Sequence, residues 1–249
     1  MSEWAWLTNT KPFSAIGNKA GPARFVVEQV EDKWFAIPTG QGFQYNGTSD
    51  SSSPIVVDGT SLGETDFASI PPYMSWFVSR YGRHTPAALV HDQLVQPKMP
   101  TSARKDADTL FLAMLDALEV PPVRSRVMWA AVTLATRAGG SVVSKLGLAL
   151  WGVAAAGGIA LLVYGLATFT AWAIIVALVG PAVGSVLWGS QIRAGLIAGY
   201  ALPVVVLPAL ASVLGYWTYW IVESAVRRLR KISQGRGADP PKPVGFRER

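Results

Sequence analysis

Between Leu146 and Ile192 the chain carries no Asp, Glu, Lys or Arg, and no other feature restricts its fold so tightly. A soluble domain of this size has no core large enough to absorb such a run. A helix needs roughly 20 apolar residues to cross the hydrocarbon of a bilayer. The run can therefore supply two spans, "LGLALWGVAAAGGIALLVYGLA" and "AWAIIVALVGPAVGSVLWG", joined by "TFT", which is short enough for a tight helix–helix turn. Gly195 to Val222 can supply a third, and Gly180-Pro181 gives the middle segment a reason to be irregular or re-entrant. The reading is an all-α transmembrane module over residues 146–222, of two or three spans, with the lipid bilayer as its partner. Trp151, Trp172, Trp188, Trp217 and Trp220 fall near predicted segment ends, where indole rings favour the headgroup layer. Small residues in "GVAAAGG" permit close helix approach and so open a route to homo-oligomers through these helices.

Charge sharpens the topology. The formal net charge is +6, but the basic residues are not laid along an amphipathic face with interleaved aromatics, so no nucleic-acid partner is expected. They flank the apolar block instead. Arg124, Arg126, Arg137 and Lys145 precede it, and Arg227, Arg228, Arg230 and Lys231 follow it in a basic tail, residues 223–249, read as disordered. Positive charge ahead of the first span holds a segment on the cytoplasmic side. The opening "MSEWAWLTNTKPF" lacks the charged start and apolar core of a signal peptide. The expectation is an inner (cytoplasmic) membrane protein of the host cell with a cytoplasmic N-terminal domain. Three full spans would carry the second basic cluster outward, against the rule that two spans satisfy. The chain has no cysteine, which removes disulfides, thiolate nucleophiles and cysteine-ligated zinc.

Ahead of the module, charge, Gly, Pro and apolar residues mix as in a soluble domain, read over residues 22–138 after an N-terminal extension, residues 1–21. "RFVVEQVE" and "KWFAIP" are rich in β-formers, and Asp32-Lys33 between them suits a hairpin turn. "TGQGFQYNGTSDSSSP" reads as a loop around one short strand, and "PIVVDG" as another strand. From Ile70 the pattern turns helical. "YMSWFVSRYG" forms a helix ended by Gly82, and the next begins with Thr85 as cap and Pro86 in the first turn. Ser102 caps a third helix that Pro121-Pro122 stops, and "VRSRVMWAAVTLATRA" closes the domain before Gly139-Gly140. The fold class is thus an α+β N-terminal domain, a small antiparallel sheet plus about four helices, followed by the all-α membrane module.

Both histidines of the chain lie in "ETDFASIPPYMSWFVSRYGRHTPAALVHDQLV". Adjacent helix positions point about 100° apart, so His91 and Asp92 cannot serve one partner. On the following helix Asp108 shares a stripe with Arg104, Phe111, Leu112, Leu115 and Leu118, whereas Asp106 points away with the charged residues. An acid on an apolar stripe needs a partner. His91 supplies one, because an imidazole N–H given to a carboxylate fixes the tautomer and raises the basicity of the other nitrogen. Asp92 is then left for a cation or a cap, and Arg104 for a structural ion pair with the Asp108 stripe. Two alternatives stay open: His91 as an interior histidine bonded to Asp108 for specificity alone, and Asp66 as an Asx-turn or helix cap rather than a ligand. His84, beside Arg83, reads as a solvated loop residue.

"TDFASIP", then "HD", then an Arg-x-x-x-Asp-x-x-Phe helix resembles a domain family of unknown function that is widespread in bacteriophages and prophages, over roughly residues 22–138. A second similarity is to phospholipases of the A-two class, in which a helical His-Asp pair is followed by an acid on an antiparallel helix. That similarity implies His91 as the base that activates water, Asp108 as its orienter, and Asp92 as a ligand of a divalent cation such as calcium, with Asp66 a candidate second ligand. The chain departs from it in having Val95 where an aromatic is common, no glycine-rich calcium loop and no disulfides. Two functions follow as expectations. One is a phage- or prophage-type, membrane-anchored hydrolase acting on a lipid or ester. The other is a non-enzymatic membrane protein: a lysis accessory, a holin-like protein or a factor that modifies the host envelope.

Overall fold

The computed structural model describes residues 12–18, 21, 23, 26–31, 34–47, 53–65, 77–79, 81–95 and 99–233. The chain divides into two units, Met1–Pro203 and Val204–Arg249. The first begins with strands β1 (Phe13–Ala15), β2 (Glu28–Glu31), β3 (Trp34–Ala36), β4 (Gly42–Tyr45), β5 (Ile55–Asp58) and β6 (Glu64–Thr65). They form two small antiparallel sheets in place of the single one expected, ordered β1-β4-β5 and β2-β3-β6. β2 and β3 form the hairpin anticipated around Asp32-Lys33, with Gln29 opposite Phe35. β1 belongs to the stretch read as an extension, and its Phe13 lies opposite Tyr45 with ring centroids 5.2 Å apart. Three residues of mixed character give no alternation to detect, so only pairing with β4 identifies them as a strand. Ser14 and Gln44 face each other across the pair and are buried. Asn46 holds both: its Nδ2 donates to Ser14 Oγ at 2.9 Å, and its Oδ1 accepts from Gln44 Nε2 at 2.7 Å. Polar groups on this face therefore do not break the pairing.

Three helices complete the domain: α1 (Thr85–Leu94), α2 (Thr101–Ala117) and α3 (Pro122–Ala138). α1 is apolar on most sides and is buried from Thr85 to His91. Leu89 and Val90 meet Phe111, Met114 and Leu115 of α2 and Phe43 and Val57 of the first sheet in one core. Each such side chain contributes roughly 1.5–3 kcal/mol by leaving water. Two expected caps are not used. Thr85 stands inside α1, where its Oγ1 accepts from Gly82 N–H at 2.8 Å, and α2 starts at Thr101 with no side-chain cap. Phe77–Ser79 and Tyr81–His84 form turns and bends where the sequence suggested the end of a helix, and the rest of that expected helix lies outside the described residues.

The apolar block forms α4 (Val142–Thr168), α5 (Ala171–Gly184) and α6 (Ile192–Ser233). Ser141 Oγ accepts from Ser144 N–H at the start of α4, and Phe169 ends it in the left-handed region, φ 54°. α5 passes through Pro181 and ends at Gly184, and the irregularity anticipated at Gly180-Pro181 falls just beyond it, where Ser185–Gln191 winds as a 3-10 segment. Gly189 there has φ 58° and ψ −123°, a conformation that only glycine adopts without strain. α4 and the stretch Ala171–Arg230 are each long and apolar enough to cross a membrane, with mean hydropathy 2.1 and few buried side chains. Trp151 and Trp188 are not surface anchors. Both are buried, edge to face with centroids 5.1 Å apart, and Gly195 has no side chain to obstruct the Trp188 ring. In the second unit α6 remains apolar to Val222 and then turns basic, with Arg227 Nε donating to Glu223 one turn earlier at 2.7 Å.

Candidate functional site

α1 and α2 bring His91 and Asp108 together. The stripe Ala107, Asp108, Phe111, Met114 and Leu115 is the buried face of α2, as its spacing requires, while Asp106 is exposed. Opposite it on α1, His91 Nε2 lies 2.9 Å from Asp108 Oδ1. Asp108 is 1% exposed and the His91 ring packs against Phe111 with centroids 5.0 Å apart. An acid buried to this extent is stable only with a partner, and the imidazole provides it. Asp108 Oδ2 is buried with no hydrogen-bond partner among the described residues. His91 Nδ1 has no partner among the described residues and is not enclosed as Oδ2 is.

Asp92 points elsewhere, as the helical rotation demands. It is exposed and accepts from Thr65 Oγ1 at 3.3 Å. Thr65 belongs to β6 and is the first residue of "TDFASIP", so the strand brings the start of that motif to the helix that carries the His-Asp pair. Gln93 fixes the same helix to the first sheet, its Nε2 donating to the Val56 carbonyl at 2.9 Å. Asp66 lies outside the described residues. Arg104 is half-buried one turn before Asp108, with its guanidinium near Gly139 at the end of α3. The ion pair of Asp108 among the described residues is the one with His91. No group of three or more His, Asp or Glu able to share a cation occurs among the described residues.

Two side chains that sequence reasoning placed outside the core, His84 in a solvated loop and Arg137 at the membrane flank, are interior. His84 is 2% exposed, and its Nε2 has no partner among the described residues. Burial, reinforced by the nearby Arg124 charge and opposed by the Ser79 backbone, pushes its pKa down to about 4. Nothing in "GRHT" announces this, because burial here comes from the meeting of the pre-α1 turn with the start of α3. Arg137, read as a membrane-flanking charge, is also buried. Its Nη1 donates to the Trp188 carbonyl at 2.8 Å and its Nη2 to the Leu187 carbonyl at 2.9 Å, with the guanidinium 5.3 Å from the Trp188 ring centroid. It thereby supplies donors to carbonyls in the 3-10 break. Burial lowers its pKa from the usual arginine value.

Residues 28–132, which include β2 through most of α3 and the His91–Asp108 pair, match the model of a family described as a protein of unknown function (DUF1353). The dyad therefore lies within a domain of unknown function. No curated protein and no solved structure matches the chain.

Proposed function

We propose that this is a membrane-anchored hydrolase whose His91–Asp108 dyad activates water against an ester of a lipid at the bilayer surface. The observation that carries the reading is the 2.9 Å contact between His91 Nε2 and the almost wholly buried carboxylate of Asp108. The Asp108 carboxylate accepts a hydrogen bond from the Nε2–H of His91 and so leaves Nδ1 as the nitrogen with a lone pair. Nδ1 removes a proton from water as the oxygen attacks the ester carbonyl carbon. The tetrahedral intermediate collapses with loss of the alcohol oxygen, which takes the proton back from His91, to give a carboxylic acid and an alcohol. Asp92 offers one exposed carboxylate to a divalent cation such as calcium. Calcium takes six to eight oxygens, and the described residues hold no cluster that supplies them, so no step is assigned to a metal.

α4 and the stretch from Ala171 support the anchoring, since their apolar side chains face outward over a length that spans a bilayer. Arg124, Arg126 and Lys145 ahead of the apolar block favour a cytoplasmic domain at an inner membrane. The phage or prophage setting rests on the resemblance of the signature alone. The test is a screen of the purified full-length protein against ester and phospholipid substrates in mixed micelles, with and without divalent cations. The wild type is expected to release fatty acid. His91→Ala is expected to abolish release with the fold retained, and Asp108→Asn to lower it by at least about 100-fold, the scale of positioned acid–base catalysis. Equal activity in the His91 variant would remove the dyad from the mechanism. An inactive wild type that still inserts into membranes would leave the non-enzymatic reading, which the apolar groove between Ala155, Gly158, Gly184 and Gly199 favours as a surface for helix association.

A further inference from the structure

α4, α5 and the first part of α6 frame an apolar groove with about 390 Å³ of empty space, part of it open to the surroundings. Ala155 and Gly158 of α4, Ala177, Gly180 and Gly184 of α5, and Gly199 of α6 line it. Close packing fixes its walls. A Cβ on Gly165 would stand 2.7 Å from Ile174 Cγ1, and one on Gly199 would stand 2.8 Å from Pro181 Cβ, so glycine lets α5 approach both neighbours closely. Along the groove itself, a Cβ on Gly158 or Gly180 would meet nothing within 4 Å. Glycines thus draw the helices together and also leave the hollow between them. Small residues alone show only that the groove has room.

Trp151 decides what fills it. The side chain is 5% exposed, is held edge to face by Trp188, and lines the groove at the end nearer the N-terminal domain, close to where the uncharged run begins. A Cβ on Gly184 would lie 3.4 Å from Trp151 Cδ1 and 3.9 Å from its Nε1, so the N–H edge of the indole faces that part of the groove floor. Nε1 has no hydrogen-bond partner among the described residues and, unlike Nε1 of Trp129 and Trp188, is not sealed from its surroundings. An indole N–H can only donate, and an unmet donor in an apolar medium is costly. The occupant is therefore apolar along its length and carries an acceptor at the Trp151 end. A neighbouring helix fits the shape, but its backbone carbonyls are already bonded within it and would leave the N–H unmet. An ester carbonyl on a lipid chain is such an acceptor, and lipid is what the outward apolar side chains of α4 and α5 meet in a bilayer.

We infer that this groove holds one acyl chain of a diacyl phospholipid from the leaflet on the domain side, with the ester carbonyl accepting from Trp151 Nε1 and the chain running towards Leu162. Trp151 and Leu162 both line the groove and stand about three turns apart on α4, roughly 16 Å, which takes up most of a membrane acyl chain. The inference rests on the membrane anchoring proposed above and not on the dyad.

The full-length protein, purified in detergent and washed free of lipid, is mixed with phosphatidylglycerol in its diester form or as the diether with the same chains, and bound lipid is counted by native mass spectrometry. One diester lipid per chain is expected, retained at least about fivefold better than the diether, the worth of one net hydrogen bond. Trp151→Phe keeps an aromatic ring and removes the donor, and is expected to bring the two lipids to equal retention. Gly158→Leu extends a side chain into space with no atom within 4 Å of its Cβ, and is expected to remove both lipids while the unfolding midpoint in detergent is kept. Equal retention of diester and diether by the wild type, a preference that survives Trp151→Phe, or lipid retention indifferent to Gly158→Leu would overturn the inference. So would a lipid-free dimer that Gly158→Leu takes apart, the result a helix in the groove would give. The mass shows whether the bound lipid is intact and fatty-acid release is read separately, so lipid binding and hydrolysis fail or succeed independently.

Discussion

His91 and His84 lie at the two ends of α1 and are buried in different company. His91 has the Asp108 carboxylate at 2.9 Å, while His84 has no partner for Nε2 among the described residues and a pKa pushed down to about 4 by burial. The second arrangement makes the domain sensitive to acid in a definite direction. The folded state resists protonating His84 until about pH 4, whereas the unfolded chain takes up that proton near pH 6.5. Stability is therefore unaffected above pH 6.5, falls as pH drops from 6.5 towards 4, and levels off below that, a loss on the order of 3 kcal/mol. His84→Gln should flatten this slope in thermal melts followed between pH 7.5 and 4.5. An unchanged slope would show that His84 is not its source. Asp108→Ala removes an acceptor from a buried imidazole nitrogen and should cost about 1–3 kcal/mol in the same assay at pH 7.5.

The element with the sharpest structural demand is the 3-10 segment Ser185–Gln191 between α5 and α6. A chain that stops one helix and starts another leaves carbonyls without intrahelical donors, and two of them, those of Leu187 and Trp188, are answered by Arg137 of α3. Arg137→Met keeps much of the stem volume but withdraws both donors, and should destabilise the protein by roughly 1–3 kcal/mol. Gly189→Ala places a Cβ at φ 58°, ψ −123° and should cost about the same through backbone strain. Unfolding midpoints in detergent that match wild type for both variants would mean that the break is not held as described. The proline expected to disturb this region is accommodated inside α5, and the break falls where glycine and a buried arginine permit it.

At the scale of the whole molecule, the Arg137 contacts fix the level of the break. They place Ser185–Gln191 beside the end of α3, where α4 begins, so α4 and α5 form a hairpin that leaves the domain and returns to it. α4 has 27 residues and, at 1.5 Å per residue, is roughly 40 Å long, enough to carry the Phe169 turn across a bilayer. The absence of native cysteine makes single-cysteine labelling clean. With the domain cytoplasmic, Phe169→Cys should react with an impermeant maleimide added to intact spheroplasts, and Ser190→Cys only after lysis. Labelling of both from the same side would rule out the hairpin as a transmembrane pair.

The sequence determined the parts that depend on local pattern. The uncharged run fixed long apolar helices from Val142 onward, the β-formers around Asp32-Lys33 fixed the β2–β3 hairpin, and an acid on the apolar stripe of α2 identified Asp108 as a residue in need of His91. Each of these is a statement about one segment, or about one polar group that cannot be buried alone. Only the tertiary structure decided that Phe13–Ala15 is a strand, that Trp151 and Trp188 are interior, and that His84 and Arg137 are buried. Solvent is excluded from these residues by segments distant in the chain: β4 for Phe13, α3 for His84, and the break after α5 for Arg137. Burial of that kind is a property of the packed whole, and no window of neighbouring residues contains it.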